Sequence, residues 1–225
     1  MLVLLTTTAG CVTTVPMRAD LPSQSYVDVP VPASVPFGLF NYKDAKTLIP
    51  IYGDIKRVQA QVARNQLDAE MRAQGFDAGK ELQRLLVARL TARRVQSRPL
   101  TAERPHDKMP PRVDLASLPL QDDTWAVLDA RITGVSLMSD MSGEFRPQVA
   151  LLVQLIEART KRLLYDNRFI YNGRAAKAVR IPYDPGAQWT DIEAIRNDLP
   201  GVRAAIVAAL DKMAELIAAD LSSKR

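Results

Sequence analysis

Between residues 125 and 171 apolar and polar side chains alternate in three successive runs. In the first, Leu128, Ala130 and Ile132 alternate with Asp129 and Arg131. In the second, Val149, Leu151, Val153 and Leu155 share one side, with Ala150, Leu152 and Ile156 on the other. In the third, Leu163, Tyr165, Phe169 and Tyr171 oppose Asp166 and Arg168. Successive side chains of a strand point to opposite faces, so these runs predict strands over 125–138, 148–158 and 162–171. Ser139 to Gly143 supplies the first turn, and such short connections predict an antiparallel meander. Apolar residues on both sides of the second run predict a strand covered on both faces.

Elsewhere the apolar spacing changes to three and four residues, the period of a helix with one buried side. Val202, Ile206, Leu210, Met213, Ile217 and Leu221, reinforced by Ala205, Ala209 and Leu216, mark the strongest such stripe, and Pro200 suits its first turn. Leu82, Leu85, Leu86 and Leu90 mark a second stripe behind a capping Asp77. A third, behind Asp54, carries Ile55, Val58, Val62, Leu67 and Met71. Thr190 and Asp191 are plausible caps for a short helix reaching Arg196. The fold class expected is α+β: an antiparallel β-meander of three or more strands packed by two or three amphipathic helices.

Two stretches lack either period. From Val12 to Phe37 prolines recur at 16, 22, 30, 32 and 36. Proline fixes its own torsion and restricts the residue before it, so this stretch predicts an extended tether. The alternative is a strap along the domain, with Tyr26, Val27, Val29 and Val31 adding an edge strand. Residues 97 to 123 are polar and proline-bearing, and predict a long connection of the kind that is mobile or carries function. The domain plan is a leader over 1–10, a tether over 11–38 and one domain over 39–222.

Composition narrows the chemistry. The chain of 225 residues has a formal charge of +5, one cysteine and one histidine. One cysteine forms no internal disulfide, and one histidine with it makes no ordinary zinc site. No phosphate-cradling glycine loop, nucleophile elbow or metal-binding helix motif occurs, so no catalytic residue, cofactor or metal is expected, and the chain does not read as an enzyme. The basic excess favours anionic neighbours, but no nucleic-acid motif accompanies it.

The segment Met1-Leu-Val-Leu-Leu-Thr-Thr-Thr-Ala-Gly-Cys11 resembles the end of a bacterial lipoprotein signal peptide, with Thr8-Ala9-Gly10-Cys11 in the place of the lipobox. That resemblance implies removal of the leader, lipidation at Cys11 and acylation of the new amino terminus with chains such as palmitate. The bland alternative is an apolar terminus holding an inert thiol. Val12 follows the cysteine, where the family's inner-membrane proteins usually carry aspartate, so the resemblance implies the periplasmic face of the outer membrane. A second resemblance lies in Val153 to Gly173 (VQLIEARTKRLLYDNRFIYNG), which is similar to the strand-turn-strand of envelope proteins related to the TolB amino-terminal domain and the curli-secretion lipoproteins. Lys161 stands where that family usually has glycine. This resemblance implies a fold and no active site.

Together these readings imply a lipid-anchored binding or scaffolding component in the assembly or stabilisation of a cell-envelope complex. Its partners would be the membrane, through the lipid, and unidentified envelope proteins, with self-association left open. The alternatives are a periplasmic enzyme with an unrecognised site and a cytosolic basic protein that binds nucleic acid. Candidate partner-contact residues are Arg104, His106, Lys108 and Arg112 in the long connection, with Arg174, Lys177 and Arg180 in the basic segment after the third strand. Arg84, Arg89, Arg93 and Arg94 read instead as solvating the helix and complementing its C-terminal dipole.

Overall fold

The structure, a computed structural model, describes residues 26–33, 35–41, 65–103, 113–139, 143–173 and 177–222. In chain order these form β1 (Tyr26–Val31), β2 (Phe37–Asn41), a helical stretch α1 (65–73), α2 (Ala78–Ala92), β3 (Ser97–Glu103), a 3-10 turn (Leu115–Ser117), β4 (Thr124–Ser139), β5 (Phe145–Glu157), β6 (Leu163–Tyr171), β7 (Val179–Ile181), α3 (Ile192–Asn197) and α4 (Leu199–Ser222).

The alternating runs become β4, β5 and β6, hydrogen-bonded antiparallel with Ala130 opposite Val153 and Val153 opposite Asn167. Among the described residues seven strands make one sheet in the order β3-β1-β4-β5-β6-β7, with β2 beside the far half of β4. β1 pairs in parallel with β3 and β4, β2 in parallel with β4, and β7 in parallel with β6. The architecture is therefore mixed α/β, and the antiparallel sheet expected is corrected to a meander flanked by parallel strands. Parallel neighbours require a crossover between them, and α2 lies on the path from β1 to β3. Side-chain alternation reports which face a residue takes and is silent about the direction of the neighbouring strand.

The expected tether over 11–38 is corrected as well. Its residues from Tyr26 onward enter the sheet, and β1 is an interior strand rather than an edge strap, with Val27 and Val29 in the core. Proline is costly there because it has no N–H to give a ladder. Pro30 faces Leu100, and Pro99 of β3 faces Val29. The structure answers from α2, where Gln83 Nε2 donates to the carbonyl oxygens of both Val29, at 2.7 Å, and Leu100, at 2.9 Å. The register with β3 shifts immediately after Pro30.

The connection expected over 97–123 is likewise shorter than its composition implied. It opens with β3 and contains the 3-10 turn, where Asp114 Oδ1 accepts from Ala116 N at 3.1 Å. Leu100 and Leu115 are buried and hold these pieces to the sheet.

One face of the sheet carries the main core. Leu128, Ala130 and Ile132, Val149 to Leu155 at alternate positions, and Phe169 and Tyr171 pack against Leu82, Leu86 and Leu90 of α2 and against Val202, Ile206, Leu210, Met213 and Ile217 of α4. Each fully buried leucine or isoleucine contributes about 1.5–3 kcal/mol of transfer free energy. Leu67 and Met71 of α1 are buried in the same core, while Ile55, Val58 and Val62 lie outside the described residues. Leu216 departs from the stripe expected on α4 and is exposed.

On the other face a buried apolar cluster covers one end, where Leu115, Val127 and Ile156 pack with Val113, Leu118, Leu120 and Leu163. Ala150 and Leu152 on that face are half-exposed. The expectation of a β5 covered on both sides therefore holds at one end of the strand.

The caps follow sequence. Asp77 Oδ1 accepts from Gly79 N at 2.9 Å and starts α2; Asp191 Oδ1 accepts from Ala194 N at 2.8 Å and starts α3. Asp198 caps α4 through Gly201 N at 3.1 Å and accepts the Trp189 indole N–H at 3.0 Å. Trp189 in turn exchanges both backbone hydrogen bonds with Phe145, at 2.7 and 3.0 Å, tying the segment before α3 to the start of β5.

Candidate functional site: the open edge of β6

β6 pairs with β5 from Leu163 to Tyr171, but β7 covers only Phe169 to Tyr171. Backbone groups of a strand alternate in direction. Asn172 N donates to Ile181 O at 2.9 Å, away from β5, so Ile170, Arg168 and Asp166 also present their N–H and C=O outward. Ile170 meets β7 at Arg180. At the next outward position, Arg168 N donates at 2.8 Å to the side-chain Oδ1 of its neighbour Asn167. A donor that would extend a ladder is thus satisfied locally, at the surface.

Cations line this edge. Lys161, at the β5–β6 turn, is exposed and holds a left-handed φ of 59°. Arg162 beside it keeps 64% of its side chain exposed while approaching Glu157 at 3.4 Å. Arg168 is exposed at the open stretch, and Arg180 and Lys177 are exposed on β7 and just before it. The nearest acidic group on the strand, Asp166, is half-buried and accepts from Gln154 Nε2 at 3.2 Å.

That bond is the end of a polar row across the outer face. Register places Asp129, Gln154 and Asp166 side by side on β4, β5 and β6. Arg131 Nη2 reaches Gln154 Oε1 at 3.4 Å, and its Nε lies 3.7 Å from Asp129 Oδ2. Asp129, Arg131 and Gln154 are buried, so the row lies within the sheet behind the edge. On the helix side, burial and then the hydrogen bond to Asp220, at 2.8 Å, push the Tyr165 phenol well above its ordinary range.

Two other polar groupings serve the fold. At the opposite end of the sheet, Arg98 spans Asp28 and Asp123, and Asp123 is held below the usual carboxylate range chiefly by its hydrogen bond from Arg98. A shallow pocket of about 20 Å³ is lined by Phe37, Asp68, Met71, Arg72, Phe76 and Val135. Its one carboxylate is occupied, since Asp68 accepts from Phe37 N at 2.8 Å and Arg72 Nε at 2.9 Å. No cluster of metal-ligating side chains occurs among the described residues.

Of the residues singled out from sequence, Cys11, Arg104, His106, Lys108, Arg112 and Arg174 lie outside the described residues. Lys177 stands just before β7 and Arg180 lies within it, and both join the cationic edge. The α2 arginines do more than solvate their helix. Arg89 binds Asp211 at 2.5 Å and approaches Glu215 at 3.4 Å, Arg93 binds Glu215 at 2.5 Å, and the pairs fasten α2 to α4. Sequence reading passed over Lys161, Arg162, Asn167 and Arg168 as a group. The one signal present was Lys161 in a glycine's place, which marks the left-handed turn that opens the edge.

No protein-family model matches the chain. No curated protein matches it. Among solved structures, the PelC dodecamer from Paraburkholderia phytofirmans aligns with a TM-score of 0.45 at 14% identity, over 95% of this chain and 96% of that one. Protein XCC0632 from Xanthomonas campestris aligns with a TM-score of 0.31 at 13% identity, over 45% of this chain and 49% of that one. Neither likeness assigns the chain to a family.

Proposed function

We propose that the chain is a lipid-anchored binding or scaffolding module on the periplasmic face of the outer membrane, contributing to the assembly or stability of a cell-envelope complex. The observation that carries this reading is Thr8-Ala9-Gly10-Cys11 standing ahead of a folded body that begins its sheet at Tyr26. Residues 12–25 then link lipid to body, and at about 3.1 Å per residue they would reach roughly 4 nm if extended. No helix among the described residues is long and apolar enough to cross a membrane, and under this reading two or more acyl chains on Cys11 supply the attachment.

The test is metabolic labelling with a radiolabelled fatty acid in the native host, for wild type and Cys11→Ser, followed by separation of inner and outer membranes. Label in the wild-type outer membrane and none in Cys11→Ser is expected. Equal absence of label in both would remove the anchor, and label confined to the inner membrane would correct the location.

A further inference from the structure

The meander is flanked on both sides by short parallel segments, and the two sides are filled unequally. Along β4, β1 lies beside the first half, with Asp28 opposite Val127, and β2 lies beside the second, with Phe37 opposite Val135. Along β6, β7 takes the second half at Phe169 to Tyr171. Among the described residues no strand takes the first half, Leu163 to Arg168. Among the described residues, the place that β1 occupies on one side has no counterpart on the other. Its outward backbone groups are those of Asp166 and Arg168, and the Arg168 N–H is held only by the Asn167 side chain at the surface.

We infer that this half of β6 is a strand-addition site for an acidic, extended segment of a partner protein. Main-chain hydrogen bonds would supply affinity, with Asp166 and Arg168 presenting donors and acceptors to the added strand. Charge selects the occupant. Exposed Lys161, Arg162, Arg168, Lys177 and Arg180 outnumber the acidic groups beside them, half-buried Asp166 and the Glu157 that approaches Arg162, so the edge carries net positive charge: the matching edge of a second copy meets net like charge, whereas glutamate or aspartate at alternate positions of a peptide meets cations. Asn167 acts as a placeholder, exchanging its bond to Arg168 N–H for a partner carbonyl at little cost. The inference does not depend on lipidation, because the edge belongs to the folded body.

The test uses the full chain and a synthetic peptide of about eight residues alternating glutamate with valine, with a lysine-for-glutamate counterpart as control. Hydrogen exchange should show the Asp166 and Arg168 amides protected by the acidic peptide and not by the basic one. Arg168→Glu should weaken binding about tenfold at low salt. Arg168→Pro should abolish it, since the N–H lost points away from β5 and its removal leaves the β5–β6 ladder complete. If Arg168→Pro fails to fold, Lys161→Glu and Arg168→Glu together carry the same comparison. Binding without protection of those two amides, equal binding of the basic peptide, or no protection at millimolar peptide would each overturn the inference. So would self-association in sedimentation that Arg168→Glu changes, which would make a second copy the occupant.

Discussion

Arg98 holds the carboxylate of Asp28 in the sheet interior: its Nε donates to Asp28 Oδ1 at 2.6 Å, and Asp28 is 0% exposed. Thr124 Oγ1 donates to the other carboxylate oxygen at 2.7 Å. The same guanidinium reaches Asp123 at 2.7 Å and lies 4.6 Å from the centroid of the Tyr26 ring. Three strands are therefore joined through one arginine. Removing it leaves a buried charge without its counterion, and Arg98→Met is expected to cost about 3–5 kcal/mol in urea unfolding. Adding Asp28→Asn to that variant should recover part of the loss, because the charge left behind is removed. Full additivity of the two changes would mean that the pair is not coupled.

Gln83 is the second dependency of β1. It supplies hydrogen bonds to Val29 and Leu100 where Pro30 and Pro99 interrupt the β1–β3 ladder. Gln83→Leu keeps the bulk and leaves two carbonyl oxygens short of a donor, so a loss of about 1–3 kcal/mol is expected. Thermal unfolding of wild type and variant checks it; a difference below a few tenths of a kcal/mol would show that water replaces the amide at no cost.

Gly79 sits in the first turn of α2, where alanine would ordinarily favour a helix by up to about 1 kcal/mol. A β-carbon there would lie 2.2 Å from the carbonyl oxygen of Pro32, which is backbone and cannot rotate aside. Gly79→Ala is expected to destabilise by about 1–3 kcal/mol, reversing the sign of the propensity. The measurement is the denaturation midpoint.

Lys161 holds a left-handed backbone at the β5–β6 turn. Relief of that conformation by glycine exceeds the extra freedom glycine gives the unfolded chain, so Lys161→Gly should stabilise by about 0.5 kcal/mol. The same change removes a cation from the open edge, so it should weaken the acidic peptide while raising the melting temperature. A structural role alone would move the two readouts together.

Tyr165 gives a pH dependence on the alkaline side. Its phenol is raised by burial and by Asp220, so the folded state retains the proton that the unfolded state releases near pH 10. The associated stability is fully present below about pH 10 and is lost as pH rises beyond it. The stability of Tyr165→Phe should be lower at neutral pH and flatter above pH 10 than that of wild type. Parallel curves would place the alkaline loss on other groups.

The meander, α2 and α4 were legible because each buries one face, and a buried face imposes a period of two or of three and four on the sequence. Asp77 and Asp191 were legible because a carboxylate before a helical run has one common use. The strand at Tyr26 to Val31 was legible as an alternative at the sheet edge, but its interior place was hidden by Pro30, which argues against an interior strand unless a distant side chain completes the ladder, and Gln83 is 54 positions away from Val29. The direction of β1, β2, β3 and β7 was hidden for a related reason, since parallel partners are chosen by crossovers rather than by local pattern. Of the cationic edge, Lys177 and Arg180 were legible as contact candidates in a basic segment and Lys161 as a residue in a glycine's place, whereas Arg162 and Arg168 looked like ordinary solvated residues until register placed them beside a half-strand that no described strand fills.

The interior position of β1 also determines how the molecule answers force. A pull through the residues before Tyr26 runs along the strand and not across it, because β1 lies parallel between β3 and β4. Its hydrogen bonds on both sides, and the Arg98–Asp28 pair, are then strained together in shear instead of opening one at a time from an end. Rupture under such a pull should be abrupt, at higher tension than the same pull applied at the end of α4.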